Sequence, residues 1–478
     1  MAELVFFQDW PWQHWASHRP EAVALITDIE PLTWEQLNQR VMRLAYHFTQ
    51  QGLRDGQTVV LRGKNSVELL LSQLATLYCG AKVLPLNPRL PESLLAELLP
   101  HLNIDFAIDF DDGLLAKFTY PILAVSERAV TAHEWEHHLP HFSHAKTQPA
   151  TLILTSGSTG LPKAAVHNVL AHLDSANGVL QAMDYQQHDC WLLSLPLFHV
   201  SGQGILWRWL LRGAQLAIRS TPLIEALQTV THASLVPTQL WRLLNQTETL
   251  SLSLKQVLLG GATIPTALTD LASHRGIDCW SGYGMTEMAS TVCAKRADGK
   301  KGVGLPLKGK QLRLVEGEIQ VRSQSQSMGY WFDGKMMPLK TIEGWFKTND
   351  RGAYIDDEYH VIGRLDNLFI SGGECVQPED IEAVINNHPA VSQSFIIPID
   401  DVEFGQRPVA VIEFSDKCEL DTIQGWLKGK LAPFQYPAHF FLLENSLKGS
   451  GIKVSRQQVK NWVLQQPDLI QSKENSGL

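Results

Sequence analysis

The sequence predicts an α/β fold: a large, multi-subdomain N-terminal domain followed by a small α+β C-terminal domain. Three observations predict it. The 478 residues exceed what one ordinary core holds. Apolar strand-like runs alternate with helix-periodic segments through the first half of the chain. After about residue 310 that alternation gives way to short strands and turns.

The elements follow in order. Leu37, Val41, Leu44, Ala45 and Phe48 recur at helical spacing between Leu32 and Gly52, where the glycine ends the helix. Residues 58–61 read as a short buried strand, about 66–78 as a helix, and 81–86 as a strand closed by Asn87 and Pro88. Strands resume at 150–155, 190–195, 214–218, 233–236 and 256–259, and strands separated by helices argue for a parallel sheet. Residues 311–315 and 318–322 begin a β-rich subdomain. The N-terminal domain is expected to span 1–364 and the C-terminal domain 365–478, the latter with helices near 378–386 and 421–431 and strands near 392–398 and 409–414.

Composition narrows the function classes. With 44% hydrophobic residues and 14 Trp the chain can fill large cores. A formal charge of -9 offers no overall attraction to nucleic acid or to an anionic membrane, and neither is an expected partner. No run of about 18 apolar residues occurs, and the start MAELVFFQDWPWQHW lacks a basic n-region, so a cytoplasmic protein is expected. The 6 Cys are scattered, without the paired spacing of a zinc site, and are expected to be reduced. His133, His137, His138, His141 and His144 crowd one stretch; Pro140 and the lack of a cysteine favour a polar connector over a metal site. Oligomeric state is not legible, and a homo-oligomer is compatible with the sequence.

The most informative segment is TSGSTGLPKAAVH, Thr155 to His167, placed directly after the apolar run TLIL. A strand that empties into Thr155, Ser156, Ser158, Thr159 and glycines offers backbone N–H groups and hydroxyls to an anion, and Lys163 adds a positive charge. The order is not that of a Walker loop, since Pro162 precedes Lys163 and Ala164 follows it.

This loop resembles the signature of the adenylate-forming superfamily of acyl-CoA synthetases, luciferases and peptide-synthetase adenylation domains. Other segments match in the same order over nearly the whole chain. GGA, Gly260, Gly261 and Ala262, resembles the adenine-side strand end. SGYGMTE resembles the next nucleotide loop, which implies Gly282, Tyr283 and Gly284 beside the base, Thr286 at the α-phosphate and Glu287 as a ligand of Mg²⁺. GEIQVR and then GYW fit the family's β subdomain. GWFKTND resembles the ribose segment, implying that Asp350 accepts from two hydroxyls. GRLDNLFISGGE resembles the start of the mobile domain, with Arg364 as a ribose or phosphate donor, Asp366 as the hinge, and Gly372 and Gly373 on the coenzyme A side. SGIKVSR resembles the terminal motif and implies Lys453 as the catalytic lysine. The family usually has glycine immediately before that lysine, whereas Ile452 intervenes here; Lys448 is the alternative if the register is shifted.

For the acid, PLFHVSGQGILWRWLLRG, LVPTQLWRLL, GRLDNLF, FGQRPVAV and GIKVSR resemble the branch that makes 2-succinylbenzoyl-CoA for menaquinone synthesis. That resemblance implies ATP, Mg²⁺, coenzyme A and an aromatic dicarboxylate as the small-molecule substrate. One carboxylate reacts, and the other needs a cation or donors. Ser201, Gly204, Ile205 and Arg208 share a helix face by spacing, which makes Arg208 the candidate cation with Ser201 beside it. An arginine snorkelling between Trp207 and Trp209 at the surface is the structural alternative. His199 is a candidate gate near the reacting carboxylate, as resemblance to the family's aromatic or histidine gate implies, with a hydrogen-bonded turn residue as the alternative. A ligase for another aryl or fatty acid, and a non-catalytic nucleotide-binding protein, are the competing functions.

Overall fold

The computed structural model describes residues 7–126, 141–155, 161–246, 253–261, 264–401, 403–415, 418–448 and 454–466. The chain forms two compact units, Met1–Leu312 with Val321–Phe346, and Arg313–Gln320 with Lys347–Leu478.

The first unit holds two mixed sheets. A 7-stranded sheet runs in the order Lys335–Met337, Gly329–Phe332, Lys163–His167, Thr151–Thr155, Lys82–Leu86, Thr58–Arg62, Phe106–Asp109. Its last four strands are parallel, and an antiparallel edge is added where Thr151–Thr155 turns back into Lys163–His167. An 8-stranded sheet runs Ser290–Arg296, Asp278–Met285, Gln256–Leu259, His232–Leu235, Cys190–Leu192, Gln215–Ala217, Val23–Ile26, Leu32–Thr33, parallel except at its two ends. The parallel interior expected from the alternation is therefore present. Its strands are buried on both faces, which is why they read as continuous apolar runs.

Helix starts follow the local chemistry. Ser66 accepts from the Leu69 N–H and opens helix Val67–Tyr78. Thr33 and Gln36 cap each other's backbone and open Trp34–Gln50. That helix begins two residues after the expected Leu32, because Leu32 and Thr33 pair with Val23–Ile26 as an edge strand.

In the second unit the hairpin of Trp345–Ile355 with Glu358–Arg364 closes on Arg313–Gln320: the Gly352 N–H donates to the Gly317 carbonyl at 2.8 Å and the Thr348 hydroxyl to the Ile319 carbonyl at 2.7 Å. These bonds join the hairpin to Arg313–Gln320, and the residues from Lys347 onward belong with both to the second unit. Beyond it lies a 5-stranded sheet built on the long antiparallel pair Val391–Asp401 and Gly405–Phe414. Side chains alternate strictly: Ile396, Ala410 and Ile412 pack with Ile381, Ile385, Ile423 and Leu427 on one face, and Phe395, Ile397, Val409 and Val411 with Val459 and Val463 on the other.

All six cysteines are free. Among the described residues no helix is long and apolar enough to cross a membrane, and no group of three His, Cys, Asp or Glu could hold a metal ion. His133, His137 and His138 lie outside the described residues; His141 is the N-cap residue of the short helix Phe142–Ala145 and His144 lies within it, exposed and 4.0 Å from Asp55.

Candidate active site

Thr155 and Lys163 sit directly opposite each other across the antiparallel pair, so they frame the two ends of the loop expected to hold phosphate. Ser156, Ser158 and Thr159 between them lie outside the described residues, as does Ala262. Ala164, Ala165, Val166 and His167 are buried while Lys163 is exposed, which anchors the hairpin and leaves its cation outward. The Lys163 ammonium lies 5.4 Å from the centre of the Tyr330 ring, within cation–π range.

Gly260 and Gly261 follow strand Gln256–Leu259, which runs parallel to Asp278–Met285, the strand that carries Gly282, Tyr283 and Gly284. Carboxyl ends of parallel strands are where such sheets bind ligands. At Gly284 a Cβ would run into the Ser290 carbonyl, so only glycine fits the bulged pairing of this strand with Ser290–Arg296.

The strand ends in a single turn, Thr286–Met288, held from three sides. The Thr286 carbonyl accepts from His167 Nε2 at 2.8 Å, the Glu287 carbonyl accepts from the Ser327 N–H at 2.7 Å, and Glu287 Oε1 accepts from the Tyr330 hydroxyl at 2.6 Å. Burial pushes the His167 pKa down to about 4, so the imidazole is neutral and the proton sits on Nε2, facing the carbonyl. After the turn, Ala289 at φ 53° and Ser290 at φ 130° occupy backbone regions that non-glycine residues avoid, strain that clusters at functional sites.

His199 is the N-cap residue of helix Val200–Arg212. Burial holds its pKa below the usual histidine value, and its ring tilts against Phe198. The segment before it is fastened by Asn65, whose amide donates to the carbonyls of Leu193 and Leu195 and accepts from the Leu197 N–H. Gln203 adds a bond to the Leu197 carbonyl at 2.6 Å.

Arg208 is only 2% exposed, which removes the surface alternative. Its guanidinium lies against the Trp191 ring and donates to Ser234 at 3.5 Å, Ser290 at 3.3 Å and Thr291 at 3.2 Å. No carboxylate among the described residues pairs with it. Burial pushes its pKa down to about 9, which still leaves it cationic near neutral pH. The face bearing Ser201, Gly204 and Arg208 turns toward this cluster: a Cβ at Gly204 would lie 2.8 Å from the Ser290 hydroxyl and 3.0 Å from the guanidinium.

In the second unit Asp350 and Arg364 are cross-strand partners. Arg364 donates to Asp350 at 3.2 Å, to the Thr348 carbonyl at 3.1 Å, and with two N–H groups to both oxygens of Asp366 at 3.0 Å. The fork on Asp366 raises the Arg364 pKa and lowers that of Asp366. Gly372 and Gly373 form the tight turn between Phe369–Ser371 and Glu374–Val376. Lys453 lies outside the described residues. Lys448 forms an ion pair with Glu413 at 2.9 Å.

Lys163, Thr286 and Glu287 thus gather in the first unit around Tyr330 and His167, and Asp350, Arg364 and Asp366 gather in the second. Sequence reasoning gave no role to His167 or Tyr330, although both stand inside quoted motifs, nor to the hydroxyls of Ser234, Ser290 and Thr291.

The strand-framed ends of the loop from Thr155 to Lys163, the carboxylate-bearing turn Thr286–Met288 and a C-terminal α+β unit match the expectation of an adenylate-forming enzyme. Residues 12–331 match the family of AMP-binding enzymes and residues 380–451 the AMP-binding enzyme C-terminal domain, and the chain belongs to that family. A 2-succinylbenzoate–CoA ligase of Escherichia coli (strain K12) is 51% identical over 97% of this chain and 100% of its own. A solved E. coli MenE variant with bound OSB-AMS aligns with a TM-score of 0.87 at 49% identity, covering 97% of this chain and 100% of that one. The o-succinylbenzoate CoA synthetase (MenE) of Bacillus subtilis, solved in complex with the acyl-adenylate intermediate OSB-AMP, aligns with a TM-score of 0.83 at 25% identity, covering 95% and 98%.

Proposed function

We propose that this chain uses ATP to activate 2-succinylbenzoate as an acyl-AMP and passes the acyl group to coenzyme A, yielding 2-succinylbenzoyl-CoA for menaquinone synthesis in the cytoplasm. The observation that carries the acid assignment is Arg208, a buried cation with three hydroxyl partners and no carboxylate among the described residues. A dicarboxylate supplies the missing anion with the carboxylate that does not react. The similarity to 2-succinylbenzoate–CoA ligases supports the same substrate.

In the first half-reaction a carboxylate oxygen attacks the ATP α-phosphorus and pyrophosphate leaves with the bonding pair. Thr286 donates to the α-phosphate, the loop from Thr155 to Lys163 donates to the departing phosphates, and Lys453 neutralises charge that develops in the transition state. The carboxylate of Glu287 suits a hard cation, since Oε1 is taken by Tyr330 and no described residue occupies Oε2. Mg²⁺ bound there would offset the charge of pyrophosphate. His199 stands beside the reacting carboxylate, Tyr283 against adenine, and Asp350 on the ribose hydroxyls. In the second half-reaction the coenzyme A thiolate attacks the acyl carbon and AMP leaves. Donors to pyrophosphate have no part in this step, and a rearrangement about Asp366 of the residues that follow it, with Gly372 and Gly373 on the thiol side, separates the two arrangements.

The test is acid-dependent AMP formation with 2-succinylbenzoate, benzoate and a fatty acid side by side. Preference for 2-succinylbenzoate is expected; equal turnover of benzoate or a fatty acid would overturn the acid assignment, and no pyrophosphate release with any acid would leave only nucleotide binding.

Asp350→Ala is expected to raise the ATP KM about tenfold or more, the effect of losing a charge-assisted bond worth about 1.5–3 kcal/mol. The acid KM should stay near that of the parent. Arg364 keeps its fork on Asp366 in this variant, so the effect reads nucleotide binding and not a collapsed hairpin. An unchanged ATP KM would take Asp350 out of the site.

A further inference from the structure

One tyrosine touches both charged groups on the phosphate side of the first unit. Strand register puts it there. Tyr330 pairs with Ala165, so it shares a face of the sheet with Lys163, two residues along the neighbouring strand, and the small Ala165 leaves the diagonal open. The Lys163 ammonium accordingly lies over the ring, 5.4 Å from its centre. On its other side the Tyr330 hydroxyl donates to Glu287 Oε1 at 2.6 Å, a short charge-assisted bond. The main chain supports the same contact, since the Ser327 N–H, three residues upstream, donates to the Glu287 carbonyl at 2.7 Å.

We propose that Tyr330 is a positioning residue of the metal–nucleotide site: its hydroxyl orients Glu287 so that Oε2 is left for a divalent cation, and its ring holds Lys163 beside the carboxylate without neutralising it. The inference rests on the roles given to Glu287 and Lys163 above. A neutral phenol suits this task better than a charged donor. An arginine or lysine on Oε1 would cancel the charge that a cation needs, whereas a tyrosine fixes the carboxylate plane and leaves its charge available. The ring performs the converse service for Lys163, because a π face attracts an ammonium without consuming it. Neither Lys163 nor Glu287 pairs with an opposite charge among the described residues, and both remain available to a ligand carrying phosphates and a cation.

The test measures equilibrium binding of ATP to the full-length protein, with and without Mg²⁺, for the parent, Tyr330→Phe and Tyr330→Leu, together with Tm. Tyr330→Phe keeps the ring and loses the hydroxyl. It is expected to raise the Mg²⁺ concentration for half-maximal enhancement of ATP binding about tenfold or more, in the range of about 10–100-fold seen when groups that orient a metal ligand are lost. Metal-free ATP affinity and Tm should stay close to the parent values. Tyr330→Leu removes the platform as well and is expected to weaken metal-free ATP binding too. A Tyr330→Phe protein with the parent's Mg²⁺ dependence, or one that loses metal-free and Mg²⁺-dependent binding alike, overturns the hydroxyl's role. Unaltered metal-free binding in Tyr330→Leu overturns the ring's. Failure of the underlying reading shows separately, in the parent alone, as ATP binding without Mg²⁺ dependence or as no pyrophosphate release with 2-succinylbenzoate.

Discussion

Arg208→Ala is expected to lower kcat/KM for 2-succinylbenzoate by a factor of about 30 to about 4,000, the equivalent of about 2–5 kcal/mol for stranding one member of a desolvated charge pair. A monocarboxylate analogue has no second anion to strand, and its kcat/KM should change by no more than a few-fold. The comparison uses kcat/KM because that ratio reports discrimination between substrates at the transition state. A second measurement separates chemistry from folding. A buried guanidinium with no counter-charge among the described residues costs the free protein stability, because three weak hydroxyl contacts replace its hydration only in part. Arg208→Met keeps apolar volume against Trp191 and removes that charge. The methionine variant is therefore expected to have a Tm equal to or above the parent's while losing the dicarboxylate preference, the pattern of a site that sacrifices stability for function. A fall in Tm together with an equal loss for both acids would make Arg208 a structural residue.

How much of this was legible depends on the range of the interaction. Strands Thr58–Arg62, Thr151–Thr155 and Gln256–Leu259 were visible because burial on both faces writes each one as an unbroken apolar run. The segments that resemble nucleotide motifs were visible because each is a short contiguous string. Arg208 was half legible: helical spacing gave the face it shares with Ser201, but the flanking tryptophans pointed equally to a surface stem. Its environment comes from Ser234, Ser290 and Thr291, which stand 26, 82 and 83 residues away. His167 and Tyr330 were hidden for the same reason. Each lies inside a recognisable motif, yet its partner in the Thr286–Glu287 turn is 119 or 43 residues distant, and periodicity carries no such information.

Lys453→Ala is expected to slow acyl-AMP formation about 10²–10³-fold, the usual effect of removing one preorganised donor at about 2.7–4 kcal/mol. Thioester formation from supplied acyl-AMP should largely survive, since attack at the α-phosphorus and departure of pyrophosphate belong only to the first half-reaction. The chain beside this lysine is fastened: three residues on, Arg456 donates to the Ile396 carbonyl at 2.8 Å and to Glu382 at 2.8 Å, and Glu382 also accepts from the Ile396 N–H at 2.6 Å. Burial raises the Glu382 pKa even with Arg456 beside it, so this carboxylate depends on its cation to stay ionised. Arg456→Met is the control that follows. Leaving Glu382 without its partner should lower Tm and depress both half-reactions, whereas Lys453→Ala should leave Tm unchanged and depress only the first. Measured separately as acid-dependent pyrophosphate release and as acyl transfer from acyl-AMP to coenzyme A, equal losses for Lys453→Ala would remove the lysine from adenylation and assign it to holding the C-terminal unit together.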